Sequence, residues 1–157
     1  MGIADNVNNN EGIIYVDDDN GSIMAVVIKD FCDLDGVKFL TPDDYSQQLA
    51  FMHHPQGHVI LPHVHNVVKR EILYTKEVLI IKKGVIRCDF YDDNKNYLKS
   101  IQLEKGDIIL LVSGGHGFEC IEETIMIEVK QGPYAGEGDK TRFEQYKGDL
   151  RMVKYDR

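Results

Sequence analysis

Short apolar runs separated by polar, glycine-containing turns recur along the chain, and no segment repeats its apolar residues with a long helical period. Residues 12–16 and 22–28 flank an Asp/Asn/Gly cluster at 17–21, a pattern that predicts a β-hairpin. Further strands are predicted at 48–53, 77–82, 84–91, 97–103, 108–112, 117–121 and 124–130. Many short strands at this spacing are typical of an all-β sandwich or barrel.

Two of these runs, 78–81 and 108–112, are apolar at every position. A strand with one wet face would alternate, so a continuous run indicates burial on both faces. One face would line the interior of the fold. The other would meet a second sheet, the N-terminal hairpin or a second subunit, and we expect a homodimer.

The pattern divides the chain into three parts. Residues 1–11 are polar and Asn-rich, and we expect them to be disordered or loosely attached. Residues 12–131 hold the strands and form the predicted domain. Residues 132–157 are mostly polar with scattered apolar residues, and we expect an irregular extension that packs on the outside of the domain.

Composition narrows the class of protein. A chain of 157 residues with 43% hydrophobic and 28% charged residues fits one soluble globular domain. The N-terminal residues lack the basic and apolar regions of a signal peptide, and no apolar run is long enough to cross a bilayer. The three cysteines are odd in number and widely spread, which favours a reducing cytoplasm over a disulfide framework.

The net charge of −8 argues against nucleic acid as a partner, because phosphate binding needs a basic surface. A local basic pocket can still exist on a protein of negative net charge, so an anionic small molecule remains possible as a ligand. In segment 66–76, Lys69, Arg70 and Lys76 could contact a carboxylate or phosphate, or could simply belong to a solvated basic loop.

The candidate chemistry centres on three histidines, His63, His65 and His116, and on one glutamate, Glu77. His63 and His65 stand at i and i+2, so on an extended segment both imidazoles point to one side and could reach one metal ion. Glu77 shares a strand face with Leu79 and Ile81, which would place its carboxylate inward. An inward carboxylate is costly unless it has a ligand or charge partner.

These residues carry a resemblance to the cupin superfamily. Gly57-x5-His63-x-His65, followed by Glu77-x6-Gly84, resembles the first cupin motif, and residues 106–118 resemble the second. The chain departs from the family pattern in three places: eleven residues (66–76) separate His65 from Glu77, Val112 replaces a proline, and His116 comes one residue early.

The resemblance implies a cupin double-stranded β-helix, that is, a jelly-roll barrel with an N-terminal hairpin and an irregular C-terminal tail. It also implies a divalent metal ion, such as Zn, Fe, Mn or Ni, held by His63, His65, Glu77 and His116.

A second resemblance narrows the subgroup. Residues 77–81, 87–92, 114–118, 127–134 and 139–143 are similar to small single-domain cupins found with nucleotide-sugar and surface-polysaccharide genes. It implies a sugar-derived or nucleotide-sugar small molecule. With a metal ion to polarise a substrate carbonyl, isomerase or epimerase chemistry fits best, and we expect a pocket group, His53, His54 or Tyr74, to move the proton.

Three alternatives stay open, because a fold does not select an activity. One is a non-catalytic carbohydrate-binding or metabolite-binding cupin, and another is a metal-dependent dioxygenase. The third is a metal-free isomerase that uses a histidine base and a tyrosine acid. Its candidate tyrosines are Tyr74, Tyr91 and Tyr134.

Overall fold

The computed structural model describes residues 11–155, which form ten strands and one short 3-10 helix and contain no α-helix. The strands are β1 (Ile13–Asp17), β2 (Ile23–Ile28), β3 (Gly36–Phe39), β4 (Ala50–His53), β5 (Glu77–Lys83), β6 (Val85–Tyr91), β7 (Tyr97–Glu104), β8 (Ile108–Leu111), β9 (Gly115–Cys120) and β10 (Ile125–Lys130). The 3-10 helix is Gly136–Asp139. The all-β prediction is confirmed, while the prediction for residues 1–11 falls, apart from Glu11, outside the described residues.

The strands form three antiparallel sheets. The first has five strands in the order β1-β2-β8-β5-β10, the second pairs β3 with β4, and the third has three strands in the order β7-β6-β9. The predicted N-terminal hairpin is present as β1 and β2, with Ile13 opposite Ile28. Strand β9 therefore lies at one edge of the three-stranded sheet, and β10 lies at one edge of the five-stranded sheet.

The five-stranded and three-stranded sheets share one apolar core. Side chains alternate along each strand, so every second residue faces the opposite sheet. The core includes Leu79 and Ile81 from β5 and Cys88 and Phe90 from β6. Because Glu77 shares the face of Leu79 and Ile81, its side chain also points between the two sheets.

The outer face of the five-stranded sheet carries a second apolar cluster. There Ile13, Val26 and Ile28 pack with Leu34 and Leu40, and partly buried residues of the β4 region complete the cluster. This cover explains why the run in β8 is apolar at every position. It covers only part of the sheet, because Ile127 and Val129 of β10 remain about half exposed on the outer side.

Strand β3 was not predicted from the sequence. All four of its residues are exposed, and Gly36 has a φ of +72°. Val37 and Phe39 alternate with Lys38, but a run of three residues is too short to predict a strand from alternation.

The Gly106-Asp107 turn of the second motif is held by a buried ion pair. Asp107 accepts a hydrogen bond from the Lys29 ammonium, and both side chains are nearly inaccessible to water. The same carboxylate accepts backbone N–H bonds from Asp30 at 2.9 Å and Glu104 at 2.8 Å. Asp107 therefore joins β2 to the β7–β8 turn, and its role is to hold the fold.

Candidate functional site

Glu77 and His116 meet between the two main sheets. Glu77 opens β5, and His116 lies opposite the buried Phe90, so its side chain takes the inner face of β9. The imidazole Nε2 lies 3.1 Å from Glu77 Oε2. The two halves of the sequence thus contribute one residue each to a hydrogen-bonded pair that spans the sheets.

Burial leaves this pair partly in contact with water. The Glu77 side chain is 14% exposed and that of His116 is 29% exposed. The hydrogen bond from His116 lowers the pKa of the Glu77 carboxyl below its ordinary value of 4.5, against the opposing effect of burial. Glu77 is therefore an anion at neutral pH, as an orienting partner of an imidazole must be.

A groove of about 640 Å³ opens over this pair. Its inner part is bordered by Glu77, His116, Phe118 and Glu128. Glu128 was not singled out from the sequence, although the alternation Met126, Glu128, Lys130 opposite the inner face of β5 is visible in the pattern of β10.

The outer part of the groove runs along the open edge of β9. It lies between residues 114–117 and the tail segment 139–145. Phe143 of the tail packs on the Tyr91 ring, with centroids 5.0 Å apart. The groove thus continues from the inner face of β9, past its unpaired edge, to the tail.

The tail is fixed by a buried carboxylate that sequence analysis did not identify as important. Asp89 is fully buried and accepts hydrogen bonds from Arg87 at 2.7 Å, Ser100 at 2.6 Å and Gln145 at 3.2 Å. Burial tends to raise the pKa of Asp89, but the hydrogen bonds from Arg87, Ser100 and Gln145 together bring it below the ordinary value. Arg87 also pairs with Glu119 at 2.7 Å, and so joins Glu119 to this network.

His63 and His65 lie elsewhere. Residues 54–74, which we call the arm, contain no strand or helix. His63 and His65 both lie on the arm and are exposed. Their rings are in edge contact at a centroid distance of 5.2 Å, and His63 Nδ1 lies 3.0 Å from the Leu61 carbonyl. The predicted proximity of the two imidazoles is present, but neither borders the groove that contains Glu77 and His116.

The three proposed proton carriers also lie outside the groove. His53 ends β4 and its Nδ1 is 3.3 Å from Asp33 Oδ1. His54 stacks on His58 with centroids 4.2 Å apart, and Tyr74 is 78% exposed at the end of the arm. Their catalytic role stays a prediction that rests on sequence alone.

The other candidates are placed as follows. Tyr91 borders the groove, but it occupies the face opposite His116, and its hydroxyl accepts a hydrogen bond from the Tyr146 N–H at 3.1 Å. Lys69 and Arg70 are exposed on the arm, whereas Lys76 donates to Ser46 at 3.2 Å.

Within residues 11–155, no group of three or more His, Cys, Asp or Glu side chains is arranged to hold a metal ion. The structure brings together Glu77 and His116, two of the four predicted ligands, and leaves His63 and His65 apart. A single chain in this conformation does not offer the ligand set, and the divalent ion stays a prediction.

Comparisons with protein-family models, curated proteins and solved structures gave no match. The cupin relationship therefore remains a resemblance carried by the two motifs. Among the described residues, no helix has the length and apolar character needed to span a bilayer.

Proposed function

We propose that the protein is a cupin-like isomerase or epimerase that acts on a sugar-derived or nucleotide-linked small molecule. The observation that supports this best is the Glu77–His116 pair in the groove between the sheets. A concave site with aromatic side chains and a few convergent charged groups is the usual form of a small-molecule site.

The chemistry follows from the pair itself. When His116 donates its Nε2–H to Glu77, its Nδ1 holds a free lone pair and can accept a proton. In a hydroxyketone, Nδ1 would take the proton from the hydroxyl-bearing carbon beside the carbonyl, leaving an enediolate and an imidazolium. Returning that proton to the former carbonyl carbon, while the hydroxyl proton moves from one oxygen to the other, gives the isomer. Protonation of the original carbon on its opposite face, by water from the groove, gives the epimer.

Glu77 would orient the imidazole and stabilise the imidazolium formed after proton abstraction, as a carboxylate does for many catalytic histidines. The predicted divalent ion would polarise the carbonyl oxygen if it were bound. Since one chain assembles only two of its four ligands, no step is assigned to it.

The test measures exchange of the carbon-bound proton for deuterium. The protein is incubated in D2O with a panel of free ketoses and nucleotide-linked keto sugars, and deuterium incorporation beside the carbonyl is followed by NMR. We expect His116→Gln to reduce exchange by roughly 10²–10⁴-fold, the usual contribution of a general base. Glu77→Gln should also reduce it, and Glu122→Gln, at an exposed turn, should not.

Deuterium exchange that is unchanged in a folded His116→Gln variant would refute the proposal.

The second candidate, a non-catalytic binding protein, is favoured by the position of His63 and His65 outside the groove. It predicts that members of the same panel raise the melting temperature without any deuterium incorporation.

A further inference from the structure

The arm carries a large unpartnered apolar surface. Nine of its large apolar side chains are at least 45% exposed, and that of Val67 is fully exposed. They are Val59, Ile60, Leu61, Val64, Val67, Val68, Ile72, Leu73 and Tyr74. Between residues 57 and 73, the only hydrogen bonds join His58 to Pro55 and His63 to Leu61. An exposed apolar segment of this size marks an interaction site.

The groove lies beside a strand edge that has no partner strand among the described residues. Within residues 11–155, strand β9 pairs with β6 on one side only, and no described strand takes the backbone donors and acceptors of its other edge. The groove extends to both faces of this edge, as a slot for a further strand would. An extended segment can satisfy such an edge by strand addition, with alternate side chains entering the site.

We propose that the arm of one protomer adds to the β9 edge of a second copy, so that His63 and His65 enter the groove that contains the partner's Glu77 and His116. The inference rests on the proposed location of the site at the Glu77–His116 pair. Each site of the dimer is then built from two chains.

The side-chain pattern of the arm fits this edge position. His63 and His65 point to one side of an extended strand, and that side can be the inner face that His116 already occupies. Pro62 lacks an N–H, which is tolerated in an edge strand and unfavourable in a central one. The arm would become the outermost strand beside β9.

Charge also fits. The groove is bordered by four carboxylates, from Glu77, Glu128, Asp139 and Glu144, and by two cations, from Lys140 and Arg142. The arm contains four histidines together with Lys69 and Arg70, and Glu71 is its one carboxylate. An acidic slot and a basic, histidine-rich segment attract each other.

Addition of the arm to a second copy accounts for more of the exposed apolar surface than its return onto the β9 edge of its own chain would. If the arm turned back onto its own β9, the exposed Ile127 and Val129 on the outer face of β10 would stay uncovered. A second protomer can cover that face and receive the arm together. Nine aliphatic and aromatic side chains, each burying on the order of 60–120 Å², approach the roughly 800 Å² per partner of a stable interface.

The register gives a direct test with a cysteine already in the chain. In an antiparallel addition with His63 opposite His116, Val59 lies opposite Cys120, which is exposed at the end of β9. With His65 opposite His116, Leu61 takes that place. Directly opposed residues have Cβ atoms close enough for a disulfide.

Two differently tagged full-length chains are co-expressed. One carries Val59→Cys or Leu61→Cys together with Cys120→Ser, and the other keeps the native arm and Cys120. Mild oxidation should link the two tags in at least one of the two registers, with peptide mass spectrometry locating the bond between the arm and Cys120. The control pair has Cys120→Ser in both chains and should give no such bond.

A chain with Val59→Cys or Leu61→Cys and native Cys120 serves as the opposite test. A disulfide formed within one chain, or the absence of any link between the arm and Cys120, would overturn the inference. Sedimentation should show a dimer whose dissociation constant rises at least about tenfold in Leu61→Asp, while Leu150→Asp, the same change on the tail, leaves it unaltered.

The two proposals fail separately. A disulfide between two chains without deuterium exchange on any sugar would refute the proposed activity and leave the addition of the arm to a second copy standing. Deuterium exchange catalysed by a protein that sediments as a monomer would refute the addition of the arm and leave the proposed activity standing.

Discussion

The buried Lys29–Asp107 pair supports a quantitative prediction for Asp107→Asn. The side chains are 3% and 2% exposed, and the Asp107 carboxylate also accepts two backbone N–H bonds. The amide removes the negative charge while keeping the shape, so the Lys29 ammonium is left buried without its counter-ion. Breaking a buried ion pair in this way costs about 3–5 kcal/mol, a large part of the roughly 5–15 kcal/mol that stabilises a domain.

Urea unfolding followed by circular dichroism measures the effect. With a slope of about 1–3 kcal/mol/M, the midpoint should fall by about 1 M or more. The matched control is Glu123→Gln, which breaks the exposed Lys83–Glu123 pair and should cost less than about 1 kcal/mol. Adding Lys29→Met to Asp107→Asn removes the unpaired charge and should recover part of the loss.

The reasoning would be refuted if Asp107→Asn cost no more than Glu123→Gln. It would also be refuted if the second substitution, Lys29→Met, recovered nothing.

Two further predictions concern the site and its support. Because His116 lowers the pKa of Glu77, the stabilisation from this carboxylate is present above its unfolded-state pKa and is lost as pH falls through the lower folded value. The stability difference between wild type and Glu77→Gln should therefore shrink on acidification below the ordinary value of 4.5, and urea midpoints that differ equally at about pH 6 and about pH 3 would contradict this. Gly84→Ala should lower the melting temperature more than Gly21→Ala does. Both glycines have φ above +80°, but a Cβ at Gly84 would lie 2.2 Å from the Glu123 carbonyl oxygen, whereas Gly21 faces open space. Equal losses would show that the clash has no effect.

The strands could be predicted from sequence because their signals are local. The hairpin at 12–28, and the strand that begins at Glu77, follow from β-branched runs and turn residues. The inward direction of Glu77 followed from its alternation with Leu79 and Ile81, and the structure supplies its hydrogen-bond partner, His116.

The remaining features depend on long-range contacts. Nothing near Asp89 in sequence indicates that Gln145, fifty-six residues away, would complete its hydrogen bonds. The arm shows the same limit, because H-x-H predicts two imidazoles on one side of a strand but does not say which strand, or which copy of the chain, that strand joins.

The last residues of the described chain have a consequence for assembly. Met152 forms a parallel bridge to Ser100 of β7, with backbone bonds of 2.8 Å from the Ser100 N–H to Arg151 and from the Val153 N–H to Ser100. This occupies part of the side of β7 that faces away from β6, and among residues 11–155 it leaves β9 as the edge of this sheet with no strand or bridge on its outer side. If two copies exchange their arms reciprocally, each β9 edge is filled and each arm is used, and the assembly closes as a pair.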